Sequence, residues 1–194
     1  MMYLFFLFKL FIMKSKVMFY CLLAFTVITL SGCKKNNEDF VEKYVGSYKI
    51  SIKPNFNLTY SGYGPYNLTS DSNIETNCTI TNNDNNVVVK IEGVNGIIDD
   101  ITITGYCDGF SMRLDDSSYD GYIRFSANDN VDCDIVLDNP SVSTPYNGRL
   151  SWDSSVSGTC KADIFGLGSD TQCDVIGKIS FVAELNKGVE VEFD

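Results

Sequence analysis

The sequence predicts an all-β domain of antiparallel strands joined by short turns, closed as an up-and-down barrel or folded as a sandwich. Three observations carry that expectation. Residues alternate with a period of two: Val87, Val89 and Ile91 against Val88, Lys90 and Glu92; Ile101 and Ile103 against Thr102 and Thr104; Val189, Val191 and Phe193 against Glu190, Glu192 and Asp194. Such alternation gives a strand one dry face and one wet face. Residues that tolerate left-handed backbone punctuate these runs at Asn82–Asn86, Asn95-Gly96, Asp108-Gly109, Asp120-Gly121, Asn147-Gly148 and Gly166–Gly168, which read as hairpin connections. No ten-residue stretch after Cys33 combines an apolar stripe of helical period with caps.

In chain order, residues 1–12 are apolar apart from Lys9, Met13-Lys14-Ser15-Lys16 is a charged segment, and Val17 to Gly32 is a 16-residue run of apolar and small polar residues. That run is shorter than the roughly 20 residues a spanning helix needs. A secretory signal is the better reading, and it is better formed from Met13 than from Met1. The run ends in Leu30-Ser31-Gly32-Cys33, which closely resembles the lipobox of bacterial lipoproteins. The resemblance implies a diacylglyceryl group on the Cys33 thiol, removal of residues 1–32 and attachment to a membrane through the lipid. One acyl chain holds a protein only marginally, whereas two or more hold it stably.

Residues 33–43 then comprise the lipidated cysteine and a polar tether beginning KKNNEDF, and residues 44–194 a single domain. The absence of Asp directly after Cys33 resembles lipoproteins passed on to the outer membrane of Gram-negative bacteria. Lys35, Glu38 and Asp39 loosely resemble the export signal of surface lipoproteins in the Bacteroidetes. The implied location is the outer membrane, on its periplasmic face or at the cell surface.

Within the domain, strands are expected near Tyr44–Lys53, Ile74–Thr81, Val87–Ile91, Ile101–Thr104, Phe110–Leu114, Tyr119–Ser126, Val131–Leu137, Gly148–Trp152, Ser157–Phe165, Cys173–Leu185 and Val189–Phe193. The opening strand, Tyr44-Val45-Gly46-Ser47-Tyr48-Lys49-Ile50, is similar to the Gly-x-Trp strand of lipocalins and other calycins, with Tyr48 where that family has Trp. Gly148 to Gly158 and Ile176 to Phe181 look like the calycin-like lipoproteins of gut Bacteroidetes. This resemblance favours a calycin-like barrel of about eight to ten strands over the sandwich, and it implies a small ligand held inside or at the mouth.

Removal of the signal leaves 162 residues, enough for one sizeable core. The signal carries three lysines and no acid, which leaves 12 bases against 25 acids and a net charge of −13. Such a surface repels nucleic acid, so no nucleic-acid partner is expected. The chain has no histidine, which removes Ser-His-Asp and Cys-His catalysis and the commonest general base near neutral pH. It also has no nucleophile elbow, phosphate loop or dinucleotide fingerprint. The expectation is a protein that is not an enzyme and takes no cofactor; a carboxylate-dependent hydrolase is the remaining catalytic alternative.

Of seven cysteines, Cys21 leaves with the signal and Cys33 is the lipid site, so Cys78, Cys107, Cys133, Cys160 and Cys173 remain. None has the Cys-x-x-Cys spacing of a zinc site, and no metal is expected. Calcium held by Asp115, Asp116 and Asp120, or by Asp129, Asp132 and Asp134, is the weaker alternative to ordinary solvated acids. Strand parity turns Cys133, Cys160 and Cys173 inward. If residues 166–169 form a hairpin loop, Cys160 and Cys173 lie nearly opposite each other and can join as a disulfide.

The stretch Pro54 to Ser70 is the candidate ligand-binding segment. It places Phe56, Tyr60, Tyr63 and Tyr66 among Gly, Pro and Asn in what reads as a long connection, where aromatic faces can stack on a sugar or cover an apolar ligand. The plainer reading is that these rings close the end of the barrel. The leading expectation is therefore a binding module for a small apolar or glycan ligand held inside the barrel or at its mouth; the alternative is an envelope structural or interaction protein with a filled core.

Overall fold

The computed structural model describes residues 41–83, 86–108, 110–127, 129–163 and 171–186. Its strands are β1 (Gly46–Tyr60), β2 (Tyr63–Thr69), β3 (Ile74–Asn83), β4 (Asn86–Ile91), β5 (Ile101–Cys107), β6 (Ser111–Leu114), β7 (Ser117–Arg124), β8 (Asn130–Asp138), β9 (Ser141–Ser143), β10 (Arg149–Ala162) and β11 (Gln172–Leu185). Every pairing is antiparallel, and the order across the sheet is β7-β8-β10-β11-β1-β3-β4-β5-β6-β9, with β2 on β1.

Several of these breaks interrupt a strand without reversing it. The β6–β9 register, Ser111↔Ser143 and Arg113↔Ser141, continues unchanged into β7–β8 as Ser117↔Leu137 and Arg124↔Asn130. Thus β6–β7 and β8–β9 are the two arms of one long hairpin. Likewise β2 and β3 follow each other along one edge of β1, with Asn55 opposite Thr69 and Ile52 opposite Ile74. The eleven segments reduce to eight staves in sequence order, and β11 returns to pair with β1 along twelve residues, Tyr48↔Leu185 to Thr59↔Asp174. The result is an up-and-down barrel, the closed alternative to the sandwich. Closure removes the unpaired edges that an open sheet leaves.

One polar latch holds the long hairpin where its ladder lapses. Asn139 is buried there; its amide donates to the carbonyls of Asp115 and Leu137, and its Oδ1 accepts from the Ser154 hydroxyl. A buried amide with this many partners costs little, whereas one left unpaired costs roughly 1–3 kcal/mol.

Alternation supplies the core. Ile50, Ile52, Phe56 and Leu58 from β1, Ile80 from β3, Val89 from β4, Ile103 from β5, Met112 from β6, Ile135 from β8 and Phe181 from β11 are each no more than 1 % exposed. A water-sized void would leave accessible area on the walls that line it. The described inward side chains leave one another almost none, so they pack against each other and not around a hollow.

Both ends are covered by the chain itself. At the end where the chain enters, Val41 and Tyr44 of the first turn are buried, the Tyr44 hydroxyl reaches the Val142 carbonyl at 3.4 Å, and the Tyr48 hydroxyl donates to the Tyr44 carbonyl at 2.7 Å. Trp152 stacks on Phe181 with ring centroids 4.8 Å apart. At the far end, the carbonyl of Phe125 accepts from the Asp71 amide and the Ser70 hydroxyl, and the Phe125 ring meets Phe56 edge to face at 5.1 Å.

Three expectations are corrected. Residues 54–70 are not a connection: Pro54 to Tyr60 extend β1 and Tyr63 to Thr69 form β2. Their Asn- and Tyr-rich composition masks a strand whose inward positions, Phe56, Leu58 and Leu68, are apolar. Asp120-Gly121 is not a turn but the middle of β7. A Cβ at Gly121 would stand 2.9 Å from Asp99 Oδ2 and 3.0 Å from the Tyr119 ring, so glycine there makes room for a side chain folded across the strand. The runs Gly148–Trp152 and Ser157–Phe165 are not two strands; β10 carries them continuously from Arg149 to Ala162. The run Val189–Phe193 and the Gly166–Gly168 turn lie outside the described residues. Asn147-Gly148 does form a tight turn, with φ of 53° and 74°, as left-handed residues at both central positions require.

Candidate functional site

The four nominated aromatics part company along one hairpin. Phe56 points inward, fully buried, opposite Gly177 of β11. A Cβ on Gly177 would lie 2.3 Å from the Asn55 carbonyl oxygen, so glycine lets the two strands coil together while Phe56 supplies the missing bulk. Tyr60 is half-buried against the core. Tyr63 is 71 % exposed and Tyr66 37 % exposed, both on β2 near the far end of the barrel. On the other face of the hairpin from Tyr66, which is paired with Leu58, the Asn67 amide donates to Asn55 Oδ1 at 3.3 Å and to Asn57 Oδ1 at 3.0 Å. The structure thus brings Tyr63 and Tyr66 to the surface and withdraws Phe56 into the core.

The cysteines form a row. Cys160 of β10 lies directly opposite Cys173 of β11 on one side and Cys133 of β8 on the other, all three buried with reduced thiols. The hydrogen bond from the Ala162 amide to the Thr171 carbonyl fixes the ladder's phase. Cys160 and Cys173 are a hydrogen-bonded pair and Cys160 and Cys133 a non-hydrogen-bonded one, with Cα spacings near 5.5 and 4.5 Å. Both spacings suit a disulfide. Burial pushes the Cys160 thiol up to about 12 and raises those of Cys133 and Cys173 as well, so the folded thiols are poor nucleophiles. Sequence parity located the inward face of all three and the opposition of Cys160 and Cys173; it did not bring Cys133 opposite Cys160, because the β8–β10 pairing joins strands that are not linked by a tight turn.

The acids take the outer surface. Asp120 of β7 faces Asp134 of β8 directly, and Asp132, Asp134 and Asp138 are all exposed. Asp115 accepts from the Thr104 hydroxyl at 2.8 Å, and Asp129 from the Ser126 hydroxyl at 2.7 Å. Among the described residues no three metal-binding side chains converge. Asp108 and Asp153 titrate below the usual carboxylate range. Asp108 is held down first by the Phe110 and Ser111 amides, and Asp153 by the Ser180 hydroxyl and then Lys178. Both are turn or cross-strand partners.

A buried group that sequence reasoning missed is Tyr119. Its hydroxyl donates to the Tyr122 carbonyl at 2.7 Å and accepts from the Asp99 amide at 3.2 Å, and Asp99 Oδ2 in turn accepts from the Tyr122 amide. Burial raises its titration further than any neighbouring charge does. Each group has a structural partner, and the cluster pins the β4–β5 connection to β7. Cys33 lies outside the described residues. Among the described residues no helix is long and apolar enough to cross a membrane.

No known family matches the sequence, and no curated protein is similar to it.

Proposed function

We propose that this chain is an outer-membrane lipoprotein, anchored through Cys33 after removal of residues 1–32, whose barrel is a non-enzymatic interaction module working through its outside. The observation that carries this reading is the packed interior. A module that enclosed a small apolar ligand would need a hollow of some hundreds of Å³, and the inward positions are taken by side chains such as Ile50, Phe56 and Met112, none more than 1 % exposed. The lipobox supports the anchor, and the acid-rich outer face supports display of a solvated domain.

A second reading keeps a ligand but moves it outside. Tyr63 and Tyr66, exposed on the β1–β2 hairpin, offer aromatic stacking faces with a phenol hydroxyl each, chemistry that suits a glycan. The test is intact and native mass spectrometry of the mature protein taken from bacterial membranes and soaked with envelope extract. The primary reading expects diacylglyceryl mass on Cys33 and no small-molecule adduct. A discrete adduct that persists in the Tyr63→Ala, Tyr66→Ala double variant would overturn the packed-barrel reading; one lost in that variant would favour the β1–β2 hairpin.

A further inference from the structure

We propose that the end of the barrel at which the chain enters rests in the headgroup–acyl boundary of a lipid bilayer, with Phe110 and Tyr146 as its interfacial side chains. Phe110 is 85 % exposed and Tyr146 80 % exposed, on two turns at that end. Neither stands on a loose loop. The amides of Phe110 and Ser111 both donate to Asp108 Oδ1, and Arg113 pairs with Asp108 at 2.7 Å, which fixes the β5–β6 turn. Tyr146 and Arg149 exchange backbone hydrogen bonds in both directions around Asn147-Gly148. The two turns are neighbours, because Ser111 and Ser143, the residues that follow and precede them, are paired.

Position and charge name the occupant. This inference rests on the lipid anchor at Cys33. Val41 is eight residue steps beyond Cys33, a reach of at most about 28 Å. Val41 lies in the turn that carries Tyr44, whose hydroxyl contacts Val142 beside those same two turns. The bilayer therefore holds this end close. The chain is strongly acidic as a whole, and among the described residues at this end part of that excess is offset: Arg113 pairs with Asp108, Arg149 approaches Glu184 at 3.9 Å, and Lys43 accompanies Glu42. Exposed aromatic rings on ordered turns are what the membrane interface accommodates. Asp120, Asp132, Asp134 and Asp174, all exposed, stand farther along the barrel.

The test uses the full lipoprotein, purified from membranes, with its intact mass read first for lipid on Cys33. It is reconstituted into phosphatidylethanolamine-rich vesicles whose acyl chains carry bromine. Three variants, Phe110→Trp, Tyr146→Trp and Tyr63→Trp, report the two interfacial turns and the opposite end against the constant background of buried Trp152. At least twofold stronger quenching at positions 110 and 146 than at 63 is expected. Lipidated protein with equal, weak quenching at all three positions overturns the docking while leaving the anchor intact. Absence of the lipid mass overturns the anchor and the docking with it.

Discussion

Replacement of Phe56 by alanine separates a lining residue from a core residue. Phe56 is fully buried and meets Phe125 edge to face at 5.1 Å. Truncating a buried phenylalanine removes transfer free energy and leaves a cavity, together about 3–5 kcal/mol; the lost ring pair places this site in the middle of that range, near 4 kcal/mol. Urea unfolding followed by far-ultraviolet circular dichroism reads it. With a denaturant slope of about 2 kcal/mol per molar, the midpoint should fall by about 2 M. Tyr63→Ala, at a position 71 % exposed, should stay within about 0.5 kcal/mol of the parent. A Phe56→Ala cost below about 1 kcal/mol would mean that the ring faces open space, and the packed-interior argument would fail.

The remaining expectations concern the latch, the cysteine row and the response to pH. Ser154→Ala leaves the buried Oδ1 of Asn139 without its donor; a loss of about 1–3 kcal/mol is expected in the same unfolding assay, and a cost below 0.5 kcal/mol would make the latch dispensable. Protein exported through an oxidising compartment should carry one disulfide that includes Cys160, worth about 3 kcal/mol in chain entropy; peptide mapping that finds five alkylatable thiols in the unfolded, unreduced protein would refute it. Stability should decline as pH rises from about 9 to 12. Burial raises Cys78 from 9.0 and Tyr44 from 10.0, each to about 12, so the unfolded chain loses these protons first and the folded state loses its advantage across that window. Flat stability over that range, with tyrosine ionising at its ordinary pH by absorbance, would contradict the burial of Tyr44. At the acid end, Asp108 and Asp153 are depressed below 3.8, so the stability they contribute is present above that value and declines below it; Asp108→Asn should blunt the acid limb of the unfolding profile.

The strand content was legible because a period of two is a local property: each residue's polarity reports which side of its own strand meets water. That is why Val87 to Ile91, Ile101 to Thr104 and the inward set Cys133, Cys160 and Cys173 could be placed from sequence. The same rule applied to residues 54–70 but was hidden, since only Phe56, Leu58 and Leu68 mark the dry face among tyrosines and asparagines that read as a loop. Gly121 misled for a related reason: its requirement is set by Asp99 and the Tyr119 ring, which sequence does not bring near it.

The sequence by itself determined the alternation, the lipobox resemblance, the acid excess and the lack of histidine, all of which are read from neighbours in the chain or from composition. Only the tertiary structure decided that the sheet closes, since the β1–β11 pairing joins residues more than a hundred positions apart. It also decided that Phe56 is core, that Cys160 has two cysteine neighbours, and that Phe110 and Tyr146 share an end with the chain's point of entry. Each of these depends on register between distant strands, and register is a property of the packed whole, where one shift of a residue exchanges the inner and outer faces.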